Sequence, residues 1–190
     1  MAQRRGQVLP LRPRGKRTTP LRILIVSGPS LQLLGSREPG VYGTATLGDI
    51  HARLATVAER QGVTIDTRQS NYEGELVTWI GEARSAGFHG IVANPGGFTH
   101  TSIALLDAAL ASGLPLVEVH LSNPDAREDF RHHSFLAKAA LGRVAGFGPR
   151  SYELGLLGLL AYLEGPEPNR RDAAVRPLPK AQRRPGPRGV

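Results

Sequence analysis

Glu118 and His120 stand two residues apart near the end of an apolar run, so in a strand they share one face. A carboxylate beside an imidazole fixes which ring nitrogen carries the proton. The same pair could ligate a metal, although only two ligands are evident there. His100 sits in Thr99-His100-Thr101-Ser102, where a helix is expected to begin. The helix field at that end disfavours imidazolium, so a neutral ring is expected, able to relay protons or to cap. Arg127 and Arg131 are four apart. Like charges at that spacing repel unless an anion or a carboxylate lies between them.

Arg37 and Tyr42 lie in a glycine- and proline-rich stretch over 29–45. Together they suggest an activated phenol. Bringing a tyrosine from a pKa of about 10 to about 7 takes roughly 4 kcal/mol of preferential phenolate stabilisation. A cation about 4 Å away supplies that at an effective dielectric near 20, but only about 1 kcal/mol in bulk water. Such a base needs its loop closed and dry.

Asp107 follows Ile103 and Leu106 and precedes Leu110, inside what reads as a buried apolar stripe. A carboxylate there needs a cation, such as a core arginine, or a place at a subunit interface. Gly28-Pro29-Ser30 and Pro95-Gly96-Gly97 offer backbone amides suited to an anion, or serve only as tight turns. Neither matches a P-loop or a dinucleotide fingerprint.

The elements that position these residues alternate. Strands are expected at Ile23–Val26, Val63–Arg68, Gly90–Ala93, Pro115–His120 and Arg143–Phe147. Helices are expected from Thr46 to about Gln61, after Ser70-x-x-Glu73, from Thr99 or Thr101 to about Ser112, around 125–131, and over about 150–163. Thr46 with Asp49, and Ser70 with Glu73, read as capping boxes. Leu76, Trp79, Ile80 and Ala83 form the buried side of the second helix. This (βα)₅ pattern predicts an α/β, flavodoxin-like three-layer sandwich with a five-stranded parallel sheet in the order 2-1-3-4-5. Its switch point brings the loops after the first and third strands together.

Composition adds exclusions. With no cysteine, the chain has no disulfide, thiol nucleophile or iron–sulfur site. No apolar run approaches the ~20 residues that span a bilayer. The net charge of +8 is uneven: residues 1–22 carry seven basic and no acidic residues, 165–190 carry seven basic against two acidic, and 23–164 carry ten against fourteen. Nine of the fifteen prolines also lie in the two ends. We therefore expect disordered basic extensions at 1–22 and 164–190 around one domain at 23–163. Nucleic acid is not expected as a partner except through those tails, and no membrane association is expected.

The segments Leu33-Leu34-Gly35-Ser36-Arg37-Glu38-Pro39, Tyr42-Gly43, Arg68 to Leu76, Asn94 to Ser102, Glu118 to Asn123, Ala126 to Ser134 and Gly146-Phe147-Gly148 resemble, collinearly, the type II 3-dehydroquinate dehydratases. The resemblance covers about 23–163. It implies a cytoplasmic, flavodoxin-like lyase that assembles as a homododecamer (a tetramer of trimers) and needs no metal or organic cofactor. The reaction it implies is trans elimination of water from 3-dehydroquinate through an enolate, giving 3-dehydroshikimate in the shikimate pathway or in quinate catabolism. It further implies Tyr42 as base, Arg37 lowering its pKa, His100 as general acid and Glu118 supporting His100. Asn94, His120 and Arg131 would bind the ring and its substituents, and the backbone amides of Leu121 and Ser122 the carboxylate. Arg127 would position the loop, and Asp107 would enter a neighbouring subunit's site. Ser27 and Ser30 depart from the family, which usually has asparagine at both positions. The residue matching Ser30 binds the water that stabilises the enolate oxygen. Losing one such donor costs ~3 kcal/mol, or 10²–10³ in rate. The resemblance therefore allows a slow enzyme or, alternatively, an inactive paralogue that only binds a dehydroquinate-like ligand. Asp125 is a further departure, standing where the family often has histidine.

Overall fold

The computed structural model describes residues 19–36 and 44–165. Five strands form one parallel sheet: β1 (Arg22–Ser27), β2 (Thr64–Gln69), β3 (Gly90–Asn94), β4 (Leu116–His120) and β5 (Gly142–Ala145). Their order is β2-β1-β3-β4-β5, as the alternation predicts. Four helices cover the sheet: α1 (Leu47–Gln61), α2 (Glu73–Gly81), α3 (Ile103–Ser112) and α4 (Arg150–Glu164). The expected basic extensions lie outside the described residues, apart from a few residues at their inner ends. Of those, Arg22 already belongs to β1 and Glu164 to α4.

Period-2 alternation distributes each strand between two cores. Ile23, Ile25, Val92, Val117 and Val119 pack with Ile50, Leu54 and Ala58 of α1 and with Leu156, Leu159 and Leu160 of α4. Leu24, Val26, Ile91, Ala93 and Leu116 pack with Leu76 and Ile80 of α2 and with Leu105, Ala108 and Ala109 of α3. Burial on both faces explains why β1 and β3 read as continuous apolar runs. By the same alternation Glu118 and His120 follow Leu116 onto the α2/α3 face.

Thr46 caps α1 with the reciprocal bonds expected: its hydroxyl accepts from the Asp49 amide at 3.1 Å, and its own amide donates to Asp49 Oδ2 at 2.9 Å. The second expected box does not form. Ser70 accepts the Tyr72 amide at 2.9 Å and donates to Glu75, while Tyr72 occupies the cap position of α2. The cap of α3 is neither Thr99 nor Thr101. Those residues belong to a 3₁₀ turn, Gly96–His100, and its exit, and Ser102 accepts the Leu105 amide at 2.9 Å. The helix expected around 125–131 is instead two 3₁₀ turns, Pro124–Ala126 and Asp129–Arg131. β5 ends at Ala145, two residues early, because Gly146 turns the chain at φ 90°.

The switch point is closed by direct backbone contact. Gly28 donates to the Asn94 carbonyl at 2.7 Å. A Cβ on Gly28 would stand 2.5 Å from the Pro95 carbonyl oxygen, so the loops after β1 and β3 approach as closely as they do because residue 28 has no side chain. Gly28→Ala is expected to force these backbones apart and to destabilise the fold by about 1–3 kcal/mol, as overpacking does. A urea midpoint equal to that of the parent protein would contradict this.

Candidate active site

The carboxyl ends of β1, β3 and β4 open on a cavity of about 280 Å³. Ser30, Asn94, His100, His120, Leu121, Ser122, Arg127 and Arg131, eight of the residues singled out in the sequence, line it. β1, β3 and β4 deliver Ser27, Asn94 and His120 to one rim because they stop at matching heights. Ser27 pairs in register with Asn94, and Ala93 with Glu118.

Glu118 lies at the base of this site, fully buried. Its Oε1 is 2.5 Å from His120 Nε2 and accepts the Thr99 hydroxyl at 2.7 Å. Ser134 Oγ lies 3.0 Å from Oε1 and 2.9 Å from Oε2. Burial pushes the carboxyl's pKa up, but the His120 contact and the two hydroxyls outweigh it and hold Glu118 below the usual carboxylate range. A buried carboxylate so paired stays charged, whereas an uncompensated one would be neutralised.

With Nε2 committed to Glu118, His120 presents Nδ1 to the cavity it lines. The resemblance placed Glu118 behind His100. In the structure its hydrogen-bonded partner is His120, and Glu118 reaches His100 only as a through-space charge.

His100 is held differently. Its Nδ1 donates to the His133 carbonyl at 2.8 Å, which leaves Nε2 as an acceptor in the neutral ring. Burial is the largest cause lowering its pKa, with positive charge from His120 and Arg131 adding to it. The two imidazoles are stacked at 14°, their centroids 6.5 Å apart. The site therefore contains one histidine biased to stay neutral beside another that rests on an anion.

A carboxylate does separate the two arginines. Arg131 Nε donates to Glu128 Oε2 at 2.7 Å, and Arg127 Nε lies 3.4 Å from the same oxygen. Asn94 is buried and turns its Oδ1 to the Gly96 amide at 3.2 Å. Tyr152 of α4, fully buried, bonds Ser27 Oγ at 2.8 Å and interacts with the Asn94 side chain. Burial pushes its phenol up to about 12, so it stays protonated. Ser30 has φ 65°, and it is the one non-glycine residue with positive φ among the described residues. Its amide donates to Asn71 Oδ1 at 2.9 Å.

Asp107 is not in the core. The core face of α3 is Leu105, Ala108, Ala109 and Ser112, while Ile103 and Leu110 are 56% and 47% exposed and Asp107 is exposed with them. Arg37 and Tyr42 lie outside the described residues. Among the described residues no group of three or more metal-ligating side chains forms, and no helix is long and apolar enough to cross a membrane.

Sequence reasoning missed Thr99 and Ser134 as partners of Glu118, and Tyr152 as the support beneath Ser27 and Asn94. Ser134 and Tyr152 fall outside any local pattern that points to a site, and Thr99 reads locally as a cap.

The family model described as "Dehydroquinase class II" matches residues 21–160. The chain belongs to the class II dehydroquinase family. Curated relatives within it include a 3-dehydroquinate dehydratase of Rhodopseudomonas palustris (strain BisA53), 54% identical over 144 residues, which are 76% of this chain and 95% of the relative. Another, from Nostoc sp. (strain PCC 7120 / SAG 25.82 / UTEX 2576), is also 54% identical, over 77% of this chain and 99% of its own. Among solved structures, the type II dehydroquinase of Butyrivibrio crossotus DSM 2876 superposes with a TM-score of 0.72 at 35% identity, covering 74% of this chain and 98% of that one. The class II dehydroquinase assignment thus spans the whole sheet and every described cavity residue named above.

Proposed function

We propose that this protein is a hydro-lyase that removes water from 3-dehydroquinate by trans elimination through an enolate, with His120 as the general acid. Support comes first from one observation: the Glu118–His120 pair, buried and opening on the cavity, in a chain 54% identical to named 3-dehydroquinate dehydratases. Tyr42, its pKa lowered by Arg37, takes the proton from C2. The electron pair moves to the C3 carbonyl oxygen and forms the enolate. The enolate then collapses, the C1–oxygen bond breaks, and the departing hydroxyl takes a proton from His120 Nδ1 and leaves as water. No external oxidant, reductant or metal enters this balance.

The hydrogen bonds support His120 rather than His100 as the acid. The Glu118 anion is held against His120 Nε2, where it can balance the charge of the ring as a proton passes through Nδ1. His100 is biased neutral, and its Nε2 serves better to accept a hydrogen bond from a ring hydroxyl. Asn94 and Arg131 contact the ring and carboxylate region, the amides of Leu121 and Ser122 hold the carboxylate, and Arg127 steadies the Tyr42 loop. Asp107, on an exposed face with Ile103 and Leu110, fits a contact to a neighbouring subunit in a trimer-based dodecamer.

The experiment is the reaction of 3-dehydroquinate carrying deuterium at one or the other C2 position. Loss of the deuterium trans to the C1 hydroxyl is expected. Its retention in the product, or binding by calorimetry with no product, would overturn the proposal, and the second outcome favours the non-catalytic paralogue.

Ser30 sets the rate in this account. Left-handed backbone costs a non-glycine residue about 1–3 kcal/mol, and asparagine tolerates it better than serine. Ser30→Asn is expected to stabilise the fold and to raise kcat about 10²-fold by adding an amide donor for the enolate's water. Ser30→Gly relieves the backbone alone, so it should stabilise without raising kcat. Equal kcat in Ser30→Asn and the parent would contradict the role assigned to this position.

A further inference from the structure

Glu118 has one more neighbour. Arg143, on β5, pairs with it in register, and Arg143 Nε lies 3.6 Å from Glu118 Oε1. Oε1 is also the oxygen that meets His120 Nε2. One carboxylate oxygen thus lies between a guanidinium on one strand and an imidazole on the other. The Arg143 side chain is 29% exposed, while that of Glu118 is fully buried, so the cation reaches inward from an edge strand toward a desolvated anion.

We infer that Arg143 is a positioning residue that sets the acidity of His120 through Glu118. The inference rests on the reading of His120 as the general acid. A lone buried carboxylate would hold the imidazolium so tightly that the ring became a poor proton donor. A guanidinium sharing the same oxygen draws part of that charge and leaves His120 a stronger acid. The hydroxyls of Thr99 and Ser134 act in the same direction but are neutral. Other charged or titratable groups at the site are His100, stacked over His120, and Arg127 and Arg131 across the cavity. Tyr152 packs below from α4 and stays protonated. Of these cations, Arg143 is the one in contact with the carboxylate itself.

The sign follows. Without the guanidinium, Glu118 binds the imidazolium more strongly, and His120 releases its proton at higher pH. Since an acid must be protonated to act, the alkaline limb of kcat moves up and the plateau falls. Arg143 acts on His120 only through the carboxylate and is partly exposed, so screening leaves a modest upward movement of that limb.

The test uses the full chain and the variants Arg143→Met, Arg143→Gln and Arg143→Lys. The ionisation of His120 is read from the pH dependence of its modification by diethyl pyrocarbonate, which attacks the neutral ring, with the site resolved by mass spectrometry. Arg143→Met and Arg143→Gln should both raise it, and Arg143→Lys should restore most of the parent value. The alkaline limb of kcat should follow. An unshifted His120 in either neutral variant, folded by circular dichroism, overturns the inference. A shifted His120 with an unmoved kcat limb leaves the role of Arg143 standing and overturns His120 as the acid.

Discussion

Replacing His120 with asparagine is expected to lower kcat about 10³- to 10⁴-fold, near the upper end of what general acid–base catalysis contributes. Asparagine keeps a polar side chain near Glu118 Oε1, but it has no proton to give at Nδ1. His100→Asn is expected to cost less, about 10-fold to 10²-fold, and chiefly in KM, because a neutral ring donating to the His133 carbonyl serves to position substrate. The comparison is made by steady-state kinetics at the pH optimum of the parent. A larger kcat loss in His100→Asn than in His120→Asn would return the acid to His100.

Tyr42→Phe is expected to remove at least about 10³ of kcat while leaving the fold and ligand binding in place. The phenol is the one group in the account able to take the C2 proton, and phenylalanine removes only its oxygen. Binding of 3-dehydroquinate by calorimetry should stay within a few-fold of the parent value. Turnover by Tyr42→Phe at the parent rate would mean that another group is the base. Tyr152, a tyrosine that the structure places near the site, is no substitute, since it is buried, protonated and hydrogen-bonded to Ser27.

The two carboxyl-end loops and the pair at 118 and 120 were legible because each depends on a local rule. Strand alternation puts Glu118 and His120 on one face, and glycine and proline end β1 and β3 where the loops meet. Thr46 and Asp49 announced a helix start for the same reason. Failures came where choice depended on distant partners. α3 carries apolar residues on both sides, and only packing against β3, β4 and α2 selects Leu105, Ala108 and Ala109 as its inner face. Ile103, Leu110 and Asp107 are then left outside.

The stretch after β4 looked helical through Arg127 and Arg131. Two separate 3₁₀ turns, Pro124–Ala126 and Asp129–Arg131, form there, and the chain then bends to deliver Ser134 to Glu118, 16 residues away in sequence. The Arg143 contact needs the β4–β5 register, which no local pattern encodes. The resemblance carried the candidate residue set, but the partners that distinguish the two histidines, Glu118 for His120 and the His133 carbonyl for His100, needed the fold.

The elimination itself is read by the ultraviolet absorbance of the purified full chain mixed with 3-dehydroquinate. The product's carbonyl is conjugated to a new double bond, so its absorbance rises as water leaves. A catalytic rise is expected, proportional to protein and nearly abolished in His120→Asn. No rise from a folded protein that binds the substrate would contradict it.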